Sequence, residues 1–222
     1  MATQFFNPSS IGNITGWEVQ TGSDSTSLDR AQALGADGDE IASQTHNSKI
    51  SATTSYVIKA TNASVPKLGA IINGYHIDSI AITFNATAFV MMSLTGHKHG
   101  STAHPACRTY SLSISTISQL FGCPSTIPCG LTVATGTGTG VRSITFSASL
   151  NHVDELNNVG NFLAADNYDG KETITVQLCD TANCTAQTGW DITSSGDDTG
   201  NTSAETTSTT AEHHIAHDTE DD

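Results

Sequence analysis

Residues 141–150 read VRSITFSASL, and the fold turns on how that stretch is patterned. Ile144, Phe146, Ala148 and Leu150 alternate with Ser143, Thr145, Ser147 and Ser149. A strand sends successive side chains to opposite faces, so a period of two predicts a half-buried β-strand. The same period recurs in YHIDSIAITF (75–84: Ile80, Ile82, Phe84), RTYSLSISTIS (108–118: Tyr110, Leu112, Ile114) and ETITVQL (172–178: Ile174, Val176, Leu178). TSYVIKA (54–60) and LGAII (68–72) are shorter strand candidates. Turn signals separate them: Asp37-Gly38, Asn73-Gly74, the GTGTG run at 136–140 and Asp169-Gly170. Asn73-Gly74 and Asp169-Gly170 suit hairpin tips, because both residue types tolerate left-handed backbone. The expected fold is mostly β, a sandwich or barrel of six to nine strands.

Helix signals are sparse. SLDRAQALG (27–35) offers Ser27 as an N-cap, Asp29 in the first turn and Gly35 as a C-terminal glycine. HVDELNNVGNFLA (152–164) has room for one short helix, interrupted at Gly160.

Composition agrees with a β fold. The 222 residues include 25 Ser and 33 Thr but only 14% charged residues, against about 25% in an ordinary soluble domain. Thr fits a pleated surface and Gly supplies turns. The net charge of −14 is unevenly placed. Residues 1–150 carry seven acids and seven bases, whereas 151–222 carry fifteen acids against Lys171 alone. That distribution argues against a basic nucleic-acid-binding surface and against electrostatic attachment to anionic lipid. The first residues, MATQFFNPSSIGNITGW, lack the basic and apolar regions of a secretory signal, so a cytoplasmic origin is expected. Ala88–Met92 is the longest strongly apolar run, far short of a membrane helix. Five cysteines (Cys107, Cys123, Cys129, Cys179, Cys184) at non-zinc-ribbon spacings read as thiols.

Three regions are expected: an N-terminal arm and loop region (1–50), a β core (51–190) and an acidic Ser/Thr-rich arm (191–222). With only Ile192 and Ile215 as aliphatic anchors, that last stretch should be disordered when alone.

The chemical constellations are few. In GHKHGSTAH (96–104), His97 and His99 share a face if the segment is a strand, and His104 follows. Gly96 and Gly100 bracket the pair, which reads as an exposed polar turn; a metal-dependent β-barrel enzyme using His97, His99 and His104 is the alternative. HHIAH (His213, His214, His217) lies in the acidic tail and suits fortuitous chelation. No G-x-S-x-G elbow is present, and GTGTGVR lacks the Lys-Ser/Thr ending of a phosphate loop. Asp154/Glu155 and Asp166/Asp169 sit among Asn and Gly and read as solvated acids. No catalytic residue, cofactor or metal is assigned.

GDEIASQTHNSKISATTSYVIKA (38–60) and KLGAIINGYHIDSIAITFNATAF (67–89) together resemble structural proteins of tailed bacteriophages. The chain is most similar to tail tube (major tail) proteins, sharing their length, β-rich composition and acidity over roughly residues 14–180. The resemblance implies a non-enzymatic virion subunit, assembled in the bacterial cytoplasm into stacked hexameric rings. Its partners would be further copies of itself, other virion proteins, and DNA that passes without specific binding; no membrane is involved. An acidic bore would let DNA slide, with Asp154, Glu155, Asp166, Asp169 and Glu172 as channel-lining candidates. A capsid decoration or head/neck protein is the alternative within the same class.

Overall fold

A computed structural model describes residues 11–85, 88–100, 104, 106–117, 131–133, 140–157, 162–179, 184–198, 206–216 and 218. Among these the regular elements are all strands: β1 (Trp17–Leu34), β2 (Glu40–Ile58), β3 (Ile71–Ile72), β4 (Tyr75–Asn85), β5 (Ala88–His99), β6 (Leu131–Val133), β7 (Gly140–Leu156), β8 (Phe162–Cys179), β9 (Cys184–Ala186), β10 (Asp191–Asp198) and β11 (Thr206–Ile215). One antiparallel sheet runs β1-β2-β5-β4-β7-β8-β11-β10, with β3 paired to β4; β6 and β9 pair separately.

The alternation in VRSITFSASL becomes the buried face of β7. Register aligns Tyr56, Met92, Ile82, Phe146, Ile174 and Ala211 across six strands, and all six are buried. A second rung beside it holds Thr54, Leu94, Ile80, Ala148 and Glu172. Directly opposed side chains of this kind are what stabilise a sheet, and any one-residue slip would expose the whole set. Segments 63–68 and 110–117 add Ala63, Val65, Leu68, Tyr110, Ile114 and Ile117 to the same core. They meet through the bridges Ser64–Thr116 and Leu68–Tyr110, so RTYSLSISTIS supplies core residues and single bridges instead of the expected strand.

The Asn73-Gly74 turn forms as expected, with φ of 49° and 81° joining β3 to β4. Gly38 (φ 88°) serves the β1–β2 turn. Asp169-Gly170 is not a hairpin tip. Asp169 (φ 53°) sits inside β8, where Ser149–Lys171 and Asn151–Tyr168 pairing leaves an extra residue on β8. A Cβ on Gly170 would lie 2.7 Å from the Tyr110 ring, so the bulge lets Tyr110 pack flat on the strand. The GTGTG run lies outside the described residues except for Gly140.

Neither expected helix forms. Residues 27–34 belong to β1, paired Ser27–Lys49 and Arg30–Thr45, and residues 152–164 run from β7 into β8 around positions outside the described set. The long antiparallel pairing with β2 outweighs the weak capping signals. The acidic end is not a free arm among its described residues: β11 pairs with β8 from Thr206–Cys179 to Ile215–Gly170, and β10 forms the sheet edge. Thr206, Thr207, Thr209 and Ala211 are buried there, with Thr acting as a β-branched filler beside Val176 and Leu178. The boundaries expected at 50 and 190 therefore do not mark changes of topology, since β2 crosses the first and the sheet continues past the second.

Candidate metal centre

Burial along β5 changes phase at Gly96–His97. Val90, Met92, Leu94 and Gly96 are buried, and then His97 and His99 are buried on the alternate positions. In a continuous strand the two imidazoles thus occupy the side opposite Met92 and Leu94. Gly96 is required for a close approach, because the backbone carbonyl of His76 occupies the place of its missing Cβ. The expectation of an exposed polar turn is corrected: His97 is 2% exposed, His99 8% and His104 4%.

Four elements bring five histidines together. His76 on β4 is the cross-strand partner of His97 on β5. His152 comes from β7, and its ring centroid lies 4.5 Å from that of His76 and 4.6 Å from that of His97. His104 follows β5 and is tied down by its backbone N–H, which donates to Gly74 O at 2.9 Å. Phe162, at the start of β8, stacks on His99 with centroids 4.3 Å apart.

Two carboxylates organise these rings. Asp78 is the extra residue between Ile77 and Ser79 at a β-bulge, and it accepts hydrogen bonds from His76 Nδ1 (2.8 Å) and His97 Nδ1 (2.7 Å). A carboxylate only accepts, so each Nδ1 carries the proton and each Nε2 presents a lone pair. Both of those Nε2 atoms are buried without a hydrogen-bond partner. Asp154 on β7 lies on the other side of the cluster. Its Oδ1 is 2.6 Å from His152 Nε2, 3.1 Å from His99 Nε2, 3.8 Å from His104 Nε2 and 4.0 Å from His97 Nε2. His152 Nδ1 meets Asn167 Oδ1 at 2.7 Å, so that ring is held at both nitrogens. Lys49 Nζ lies 3.6 Å from Asp154 Oδ2.

Burial pushes the His76, His97 and His99 imidazoles below their ordinary value, which keeps them neutral near pH 7. Burial also acts to lower His152, but its hydrogen bonds with Asp154 and Asn167 outweigh this and raise it. For Asp78, burial would raise the carboxyl; the hydrogen bonds from His76 and His97 prevail and hold it at about 2. Asp154 is likewise held well below the carboxylate range, burial being outweighed by His104 and His152. Cys107 Sγ lies 3.9 Å from His104 Nδ1, and burial pushes that thiol up to about 11, so it is protonated at neutral pH.

The arrangement offers two ligand sets, His97/His99/His104/Asp154 and His76/His97/His152, the ligand atoms of each lying within 4.8 Å of one another. Sequence reasoning found the first three histidines and missed His76, Asp78 and His152. A signal was present: His76-Ile77-Asp78 and His152-Val153-Asp154 repeat one His-aliphatic-Asp pattern, on β4 beside the H-x-H strand and on β7 beyond it.

The channel-lining candidates are scattered. Asp154 belongs to the histidine cluster, and Glu172 is fully buried, bonded to Ser113 N (2.6 Å), to Ser113 Oγ and to His213 (3.2 Å). Both carboxyl groups are engaged by contacts inside the subunit. Glu155, Asp166 and Asp169 are exposed. Of the tail histidines, His213 stacks on Trp190, His214 lies 3.1 Å from Asp169, and His217 falls outside the described residues.

No protein-family model matches this chain, and no curated protein matches it either.

Proposed function

We propose that the chain is a non-enzymatic, self-assembling structural subunit, with a phage tail tube as the assembly its sequence resembles. One observation carries this reading: the β1–β2 hairpin runs beyond the rest of the sheet. β2 pairs with β5 only over Lys49–Val57, so residues 28–34 of β1 and 40–48 of β2 lie beyond the rest of the sheet and have only each other. Leu28, Leu34 and Ile41 are exposed along it. A two-stranded ribbon is marginal in water by itself, and unpaired edges such as β1 and β10 recruit strands from other chains. Docking against neighbouring copies would cover the ribbon and close both edges. Exposed Glu155, Asp166 and Asp169 are the acids left to face a channel.

A metal-dependent enzyme is the second reading, favoured by the histidine cluster. Against it, His97, His99 and His104 are all buried, and a catalytic metal keeps a position open to substrate.

Negative-stain microscopy of the purified full chain tests the proposal. Rings or tubes are expected, lost in Leu28→Glu/Ile41→Glu while the circular dichroism of the β core persists. Discrete trimers that coat capsids would move the role to decoration. A chain that stays monomeric at all concentrations would overturn the proposal.

A further inference from the structure

We propose that His97, His99, His104 and Asp154 bind one divalent transition-metal ion of the zinc class per chain, pinning β5, the segment after it and β7 together. This goes beyond the assembly reading and does not depend on it. The ligand chemistry is three imidazoles and one carboxylate, a set that suits zinc, cobalt, nickel or copper and not the all-oxygen preference of calcium or magnesium. Four ligands of these types favour a tetrahedral site. Zinc bonds of about 2.0–2.1 Å imply edges of roughly 3.3 Å between ligand atoms. Asp154 Oδ1 stands 3.1, 3.8 and 4.0 Å from the Nε2 atoms of His99, His104 and His97, and all four ligand atoms lie within 4.8 Å of one another, so edges need to shorten by no more than about 1.5 Å to close the site.

The outer contacts have the form that metal sites use. Asp78 holds His97 through Nδ1 and aims its unpartnered Nε2 inward, while His152, itself braced by Asn167, orients Asp154. A buried polar atom with no partner needs a reason, and a cation supplies one for His97 Nε2. The stoichiometry follows from the same bond. His97 has one nitrogen to give, because its Nδ1 is spent on Asp78, and both possible ligand sets require it. The ion count is therefore one.

The test uses the full chain without an affinity tag, stripped with chelator and titrated with Zn²⁺ by calorimetry, with Co²⁺ absorption reporting geometry. One equivalent with a tetrahedral cobalt spectrum is expected, and His99→Ala and Asp154→Asn should each weaken binding at least 100-fold. His214→Ala, on the exposed tail pair, should leave affinity unchanged. Circular dichroism of each variant separates lost ligation from lost folding; if Asp154→Asn unfolds, Asp154→Glu replaces it and should retain binding. A folded wild-type chain that takes up no stoichiometric metal would overturn the proposal, as would affinity that falls with His214→Ala and survives His99→Ala. Ring or tube formation is not read in this experiment, so the two proposals fail separately.

Discussion

Asp78→Asn is the most informative single change, because one carboxylate at a bulge holds two buried imidazoles. The variant keeps the side-chain shape and one acceptor oxygen but removes the charge that receives His76 Nδ1 and His97 Nδ1 at 2.8 and 2.7 Å. Hydrogen bonds to a charged group contribute about 1.5–3 kcal/mol each, and one of the two survives as a neutral bond, so the loss is roughly 2–3 kcal/mol. The proton linkage gives a similar figure independently. A carboxyl lowered from 3.8 to about 2 in the folded chain corresponds to roughly 2–3 kcal/mol. This contribution is complete above the unfolded carboxyl value and disappears as pH falls through about 2. Urea unfolding of the metal-free chain at pH 7 should show the midpoint falling by about 1 M, with the difference between wild type and variant shrinking from pH 4 toward pH 2. Asp24→Asn, on the exposed part of β1, should change stability by less than about 0.5 kcal/mol. A loss below about 0.5 kcal/mol for Asp78→Asn, or a pH-independent loss, would refute the assigned role of Asp78.

Other outcomes follow from the same contacts. Phe146→Ala, at the centre of the six-residue rung, should cost about 3–5 kcal/mol in urea unfolding, whereas Phe89→Ala, 76% exposed, should cost under about 0.5. Glu172→Gln retains volume but replaces one of the two buried carboxyl oxygens that hold Ser113 with an amide donor, and thermal unfolding should register about 1–3 kcal/mol of destabilisation. The metal-free chain should lose stability as pH drops below about 6.5, since His76, His97 and His99 stay neutral when folded and take up protons when unfolded. His152 acts in the opposite sense, its contribution being present at low pH and fading as pH rises. One group does not offset three, so melting temperature in chelator should fall between pH 7 and pH 5; a rise would contradict the neutral assignment.

Much of the core was legible in the sequence because the buried face of an antiparallel sheet imposes a strict period of two. Ile80, Ile82, Ile144, Phe146, Ile174 and Val176 all stand where the alternation put them. Asn73-Gly74 was legible for an equally local reason, its backbone requirement. Pairing was not. Ser27 and Asp29 look like a helix start, and only partners such as Lys49 and His46 across β2 make the segment a strand. The acidic end hid its strands because Thr206, Thr207 and Thr209 count as polar in composition yet pack as branched side chains. The histidine site was half visible: H-x-H was read, but the glycines around it suggested a turn. His76, Asp78 and His152 approach only through the β4–β5 and β4–β7 registers and a bulge, which no local pattern specifies.

X-ray absorption at the zinc edge of the loaded, untagged chain tests the central structural claim most directly, namely that β5, the segment after it and β7 converge on one ion. The account predicts four nitrogen or oxygen ligands at about 2.0–2.1 Å, with imidazole outer-shell scattering and no sulfur. A zinc–sulfur shell near 2.3 Å would contradict it by moving the metal to a cysteine such as Cys107, and a six-oxygen shell would contradict it by leaving the histidines unused.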